Sequence, residues 1–200
     1  TMKQISFLFI MLLAGCASKQ NHRLSKTLYD QSLFEFKQKN YKKSLQLINE
    51  ALEKYKSPQA LSHKAILLYQ LSKHNESLQI FKQLIKDPKI PPSLKPDILN
   101  NYACTLLSLN KPEQAKNIWL DLTTDSNYLS PEVAWHNIGM LELLESKKMG
   151  ANKTDHYTEA EKAFTEATNI SKEYIDALFY LAITKIMLGK TTSARQTLIE

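Results

Sequence analysis

Glycine is scarce in this sequence, with four residues in 200. Turn-rich β architectures place glycine at many tight reversals, so the scarcity argues against them and for helices. Cysteine is scarcer still: Cys16 and Cys104 are the only two. Two cysteines rule out a disulfide framework and any Cys-rich zinc fold. No apolar run reaches the roughly 18–20 residues that a membrane-spanning helix needs. The catalytic signatures are missing as well: there is no G-x-S-x-G, H-E-x-x-H, C-x-x-C or P-loop. Gly150 to Thr154 offers a Lys-Thr pair, but without a glycine directly before the lysine or a preceding strand it reads as a solvated loop. The histidines at 22, 63, 74, 136 and 156 show no paired ligand spacing, and Asp155-His156 is expected to be exposed. Catalysis, a cofactor, a metal and a small-molecule substrate are therefore not expected.

Charge is modestly one-sided. Lys plus Arg number 26 against 20 Asp plus Glu, a net +6. The basic residues are scattered, with short runs only at Lys42-Lys43 and Lys147-Lys148, and no aromatic-interleaved basic stripe accompanies them. Nucleic acid is not expected as a partner, and the excess reads as a solvated face.

What is present begins at the N-terminal end. Lys3 gives a positive start, and Ile5 to Ala14 is apolar except for Ser6. This is the pattern of a signal-peptide core, too short to span. It ends in Leu13-Ala14-Gly15-Cys16, which resembles the bacterial lipobox. The resemblance implies cleavage before Cys16, diacylglycerol on its sulfur and acylation of the new N-terminus, since several acyl chains anchor stably. Ala17 and Ser18 stand where an aspartate would oppose outer-membrane sorting, which implies an outer-membrane address facing the periplasm. The expected domains are a signal peptide over 1–15, a lipidated cysteine with polar tether over 16–27, and a folded domain over 28–200. Cys104 is expected as a small buried apolar residue.

A period runs through the folded part. Small residues recur at Ser44, Ser77, Ala115, Ala160 and Ala194, each followed four positions later by Ile48, Phe81, Trp119, Phe164 or Leu198. A second series of small residues, at Ser32, Ala65, Ala103, Gly139 and Ala182, precedes the first by 12 positions in four repeats and by 21 in the fourth. Small side chains let antiparallel helices approach, and large apolar ones a turn away fill the neighbouring grooves. Six of the seven prolines lie between repeats, where they start helices, and Pro112 lies in a turn within one. With Trp135-His136-Asn137-Ile138-Gly139 and Ala160 to Phe164, the pattern resembles the tetratricopeptide repeat. It implies an all-α, right-handed superhelical solenoid of about five helix-turn-helix repeats. The second helix of the fifth repeat is expected to be cut short at Glu200, with the natural chain continuing, because solenoids normally end in a polar cap.

In tetratricopeptide proteins the first helix of each pair lines the concave face. By that resemblance, the groove receives Asn100, Asn101 and Leu107 from the third repeat. The fourth contributes His136, Asn137, Met140, Leu143 and Leu144, and the fifth Phe179, Ile183, Ile186 and Met187. Lysine and arginine, which a carboxylate clamp would need, are absent from these positions. An amphipathic helix or an apolar peptide suits the groove better. The methionines would let it adapt, and the asparagines could bond a peptide backbone. The same residues also suit core packing between adjacent helices.

Leu99-Asn100-Asn101-Tyr102-Ala103, then Glu113-Gln114-Ala115, Ser130-Pro131-Glu132 and Asn137-Ile138-Gly139, add a more specific resemblance. Together with the lipobox and tether they resemble the PilF/PilW/Tgl lipoproteins of type IV pilus systems. That resemblance implies binding of secretin subunits and support for their outer-membrane insertion and multimerisation, hence pilus assembly and twitching. The alternative is an envelope scaffold of the NlpI kind, which docks peptidoglycan enzymes or assembly factors.

Overall fold

The structure is a computed structural model that describes residues 2–148 and 153–199, with side chains from residue 18 onward. The side chains of the expected signal peptide and of Cys16 lie outside the described residues, as do Gly150 to Asn152 of the expected loop. Among the described residues there are ten α-helices and no strand. None of these helices is long and apolar enough to cross a membrane. The chain divides into two compact units, Thr1–Ile90 and Pro91–Glu200.

The first unit holds α1 (Met2–Lys37), α2 (Tyr41–Lys54), α3 (Pro58–Gln70) and α4 (His74–Lys86), each packed on its successor. Ser57 caps α3 by accepting from the Ala60 amide, and Pro58 follows at its first position. The small residues Ser32, Ser44, Ala65 and Ser77 are all buried, as are Ile48 and Phe81. Where α1 and α2 cross, Ser32 Oγ donates to the Ser44 carbonyl at 2.8 Å and Ser44 Oγ donates back to the Ser32 carbonyl at 2.7 Å. The two hydroxyls also lie 2.9 Å apart, and His63 Nε2 joins them 3.1 Å from Ser32 Oγ. The stretch expected as a polar tether is helical from Ser18 onward, within α1. Ser25 holds it down by donating to the Tyr55 carbonyl.

The second unit begins with a short 3-10 turn (Pro92–Leu94). It continues through α5 (Lys95–Ser108), α6 (Pro112–Thr124), α7 (Pro131–Lys148), α8 (Lys153–Ile170), α9 (Ile175–Met187) and α10 (Thr191–Thr197). Its small residues Ala103, Ala115, Gly139, Ala160, Ala182 and Ala194 are again buried, and Trp119 and Phe164 are fully enclosed. Gly139 is required by close approach: a Cβ there would stand 2.6 Å from the Phe164 ring. Leu198 departs from the pattern and is exposed, because α10 ends at Thr197 and leaves Leu198 at its cap rather than in a groove.

The longer spacing of the fourth repeat is used to extend helices. Both α7 and α8 have 18 residues, against 14 in α5. Asp155-His156 consequently lies in the first turns of α8, and His156, expected to be exposed, is half-buried against α7. The fold also reverses within pairs with little glycine. Lys39, Ser72, Asn110 and Gly189 adopt left-handed backbones (φ 58° to 75°), and in each the next amide bonds a carbonyl five residues back. These are Schellman-type ends, three of them built on residues other than glycine.

Candidate partner-binding site

The residues expected in the groove all belong to the second unit, on α5, α7 and α9. A cavity of about 270 Å³ opens among α7, α8 and α9. Met140, Leu143, Leu144, Ile183 and Met187 line it, joined by Tyr157 and Tyr180, with Ser146 and Lys147 at α7's C-terminal end. Leu143 is the deepest of the expected residues. It is 9 % exposed and packs in a core cluster with Ala160, Phe164 and Leu181, so it serves as wall as well as lining. The cavity's rim is apolar and open at Leu144, 40 % exposed, and Met187, 49 %, while Phe179 (52 %) and Ile186 (56 %) stand exposed on α9 outside the lining. Phe179 sits edge-on to Tyr180 at 5.4 Å, so its ring is oriented from below.

The polar residues expected in the groove are engaged within the second unit. Asn100 Oδ1 accepts from Trp119 Nε1 at 3.0 Å and from Asn137 Nδ2 at 2.9 Å, tying α5, α6 and α7 together. Asn101 instead donates to the Asp97 carbonyl of its own helix. His136 is enclosed by Phe164, Tyr174 and Tyr180, with ring centroids 5.1 to 5.8 Å away. Burial lowers its pKa, and Asp176 opposes that only in part. Leu107 is half-buried on α5 and does not line the cavity.

Behind the cavity, Glu142 is buried on α7 and charged. Its Oε1 meets Lys116 Nζ of α6 at 2.6 Å and its Oε2 meets His156 Nδ1 of α8 at 2.7 Å. Burial opposes the charge, but the hydrogen bonds from Lys116 and His156 outweigh it and hold the carboxyl below its ordinary value. Burial pushes the half-buried Cys104 thiol up to about 11, which disfavours its thiolate. Among the described residues no group of three His, Cys, Asp or Glu is placed to hold a metal.

Tyr157, Tyr180 and Lys147 were not foreseen. Tyr180 falls outside the consensus groove positions, and Tyr157 belongs to the helix that the insertion extends. The only sequence signal for either was a tyrosine within a helical turn of expected groove residues or of the insertion.

Antiparallel helix pairs that close on buried small residues define a tetratricopeptide-type repeat fold. Comparison with known proteins agrees. No family model and no curated protein matches the sequence. Solved structures do match: PilF of Pseudomonas aeruginosa superposes with a TM-score of 0.70 at 17 % identity, over 89 % of this chain and 75 % of that one. PilW, a type IV pilus biogenesis factor, gives 0.68 at 20 %, over 86 % and 74 %. Yeast Tom70 gives 0.66 at 18 %, over 90 % of this chain and 35 % of its own. At these identities the likeness is one of fold.

Proposed function

We propose that this chain is an outer-membrane lipoprotein, anchored through Cys16, that works as a protein-binding scaffold in type IV pilus biogenesis. In this reading it captures secretin subunits in the groove of its second unit and promotes their outer-membrane localisation and multimerisation. It acts by binding and not by catalysis, facing the periplasm. The observation that carries the reading is a lined apolar cavity open at Leu144 and Met187, together with the exposed apolar Phe179 and Ile186 of α9. Each large side chain that a partner buries there contributes about 1.5–3 kcal/mol. The lipobox at Leu13 to Cys16 supports the anchor, and the fold likeness to PilF and PilW supports the pilus setting. The helical stretch from Ser18 would serve as a stiff tether between lipid and domain.

Two variants test it. Cys16→Ala is expected to release the protein from the outer-membrane fraction; equal retention refutes the anchor. Phe179→Glu, at an exposed position, is expected to keep native helicity and melting while secretin co-purification and secretin multimers are lost. Normal capture by that folded variant refutes the groove.

A further inference from the structure

The cavity behind the rim has a size and a charge that narrow its occupant. An apolar cavity of about 150 Å³ takes up a benzene-sized ring, whereas pockets for drug-sized ligands run about 300–1,000 Å³. At about 270 Å³ this one fits one large side chain and little more. Its walls include the rings of Tyr157 and Tyr180 and the flexible Met140 and Met187, which suit an aromatic or long aliphatic anchor. The lining contains a single charge, Lys147, and no carboxylate. The neighbouring Lys148 is occupied by Glu145 at 2.8 Å, and no ion pair to Lys147 is made among the described residues. A cation at the mouth of an apolar hole, with its neighbour's charge already matched, calls for a partner anion beside the inserted group.

We infer that this cavity is the specificity pocket of the groove, taking one large apolar side chain from an acidic partner segment whose carboxylate pairs with Lys147. The inference rests on the reading of the second unit as the partner site and adds the chemistry of what enters it. A basic or neutral segment with the same anchor binds less well, because it leaves Lys147 unmatched or opposed.

The test uses short fluorescein-labelled helical peptides that carry one phenylalanine flanked by glutamates, read by anisotropy. Three comparisons are made: the phenylalanine replaced by alanine, the glutamates replaced by lysines, and Lys147→Glu in the protein. Lys147 is exposed, so its replacement leaves the fold intact. The alanine peptide is expected to bind about ten- to hundredfold more weakly. Lys147→Glu is expected to weaken the acidic peptide about tenfold and to strengthen the lysine peptide. Equal binding of acidic and basic peptides, indifference to Lys147→Glu, or no binding of the acidic peptide at all overturns the inference. If the peptides fail while Phe179→Glu still abolishes secretin capture, the pocket chemistry is wrong and the pilus reading stands. If the peptides behave as stated while secretin is not captured, the pocket is right and its partner lies elsewhere.

Discussion

The two units use the same helix-pair plan and close it with different chemistry. In the first unit, α1 and α2 meet through two serines that exchange hydroxyl-to-carbonyl bonds, with His63 hydrogen-bonded to one of them. In the second, α7 and α8 meet through Gly139 and Ala160, and the Phe164 ring lies directly over the glycine. A hydrogen-bonded crossing depends on directional partners, and each lost hydroxyl forfeits its bond across the pair. A packed crossing depends on volume, and each lost or added carbon is felt as a cavity or a clash. The same repeat position also carries a buried carboxylate in both units. Glu35 bonds Lys43 and Asn40, while Glu142 bonds Lys116 and His156.

The largest expected effect tests the packed crossing. Phe164→Ala should cost about 3–5 kcal/mol, measured by urea unfolding with hydrogen exchange assigning the loss to the second unit. Gly139→Ala alone should cost about 1–3 kcal/mol through the clash with that ring. In the Phe164→Ala background it should be nearly neutral, since the obstructing ring is gone. A full cost in both backgrounds would show that the glycine matters for its backbone and not for space.

The hydrogen-bonded crossing should break in the opposite way. Ser44→Ala scarcely changes volume, yet it should destabilise the first unit by about 0.5–1.5 kcal/mol, because the hydroxyl bond to the Ser32 carbonyl is lost while that carbonyl keeps its helical partner. A cost near zero would mean that the hydroxyls only fill space.

This crossing should also be the acid-sensitive one. Burial lowers the His63 pKa from 6.5 to about 4, so the unfolded chain binds a proton there more readily than the folded unit. Its stabilising contribution is complete above about pH 6.5 and is lost as pH falls toward 4. Denaturation midpoints of the first unit should decline across that window. His63→Gln should flatten the decline, and an unchanged slope would assign it to another group.

The smallest effect concerns the turns. Ser72 holds φ of 60°, a region that costs a side-chain-bearing residue about 1–2 kcal/mol. Ser72→Gly should raise the first unit's stability by a few tenths to about 1 kcal/mol, because glycine's extra freedom in the unfolded chain offsets part of the relief. Gly189 already adopts the same geometry, so its replacement by alanine should move the second unit the other way.

Much of this arrangement was legible in the sequence. Both series of small residues and four of the five large ones fall where the repeat spacing put them, because helix contact distance leaves those positions little choice. The groove was legible in part. Met140, Leu144, Ile183 and Met187 gather at one cavity, whereas Leu143 is shared with the core, Asn100 bonds Asn137 and Trp119, and Asn101 bonds its own helix. A repeat position tells which way a side chain points, but not whether a neighbouring helix has already claimed it. The turns were legible only where Asn110 and Gly189 favour the left-handed backbone, since lysine and serine carry no such signature. The role of His156 was not legible, because a stretch without repeat periodicity reads as loop even when it extends a helix.

Glu142 has a consequence for how the second unit comes apart. In a linear array of repeats, cooperativity depends on how strongly each pair is tied to the next compared with its own intrinsic stability. A buried carboxylate held from both sides loses a hydrogen bond when either α6 or α8 departs, and the loss of α6 also takes away its Lys116 counter-charge, a state costlier than the paired one. Fraying of one repeat therefore raises the energy of its neighbour. The third and fourth pairs should open together, in a single all-or-none step.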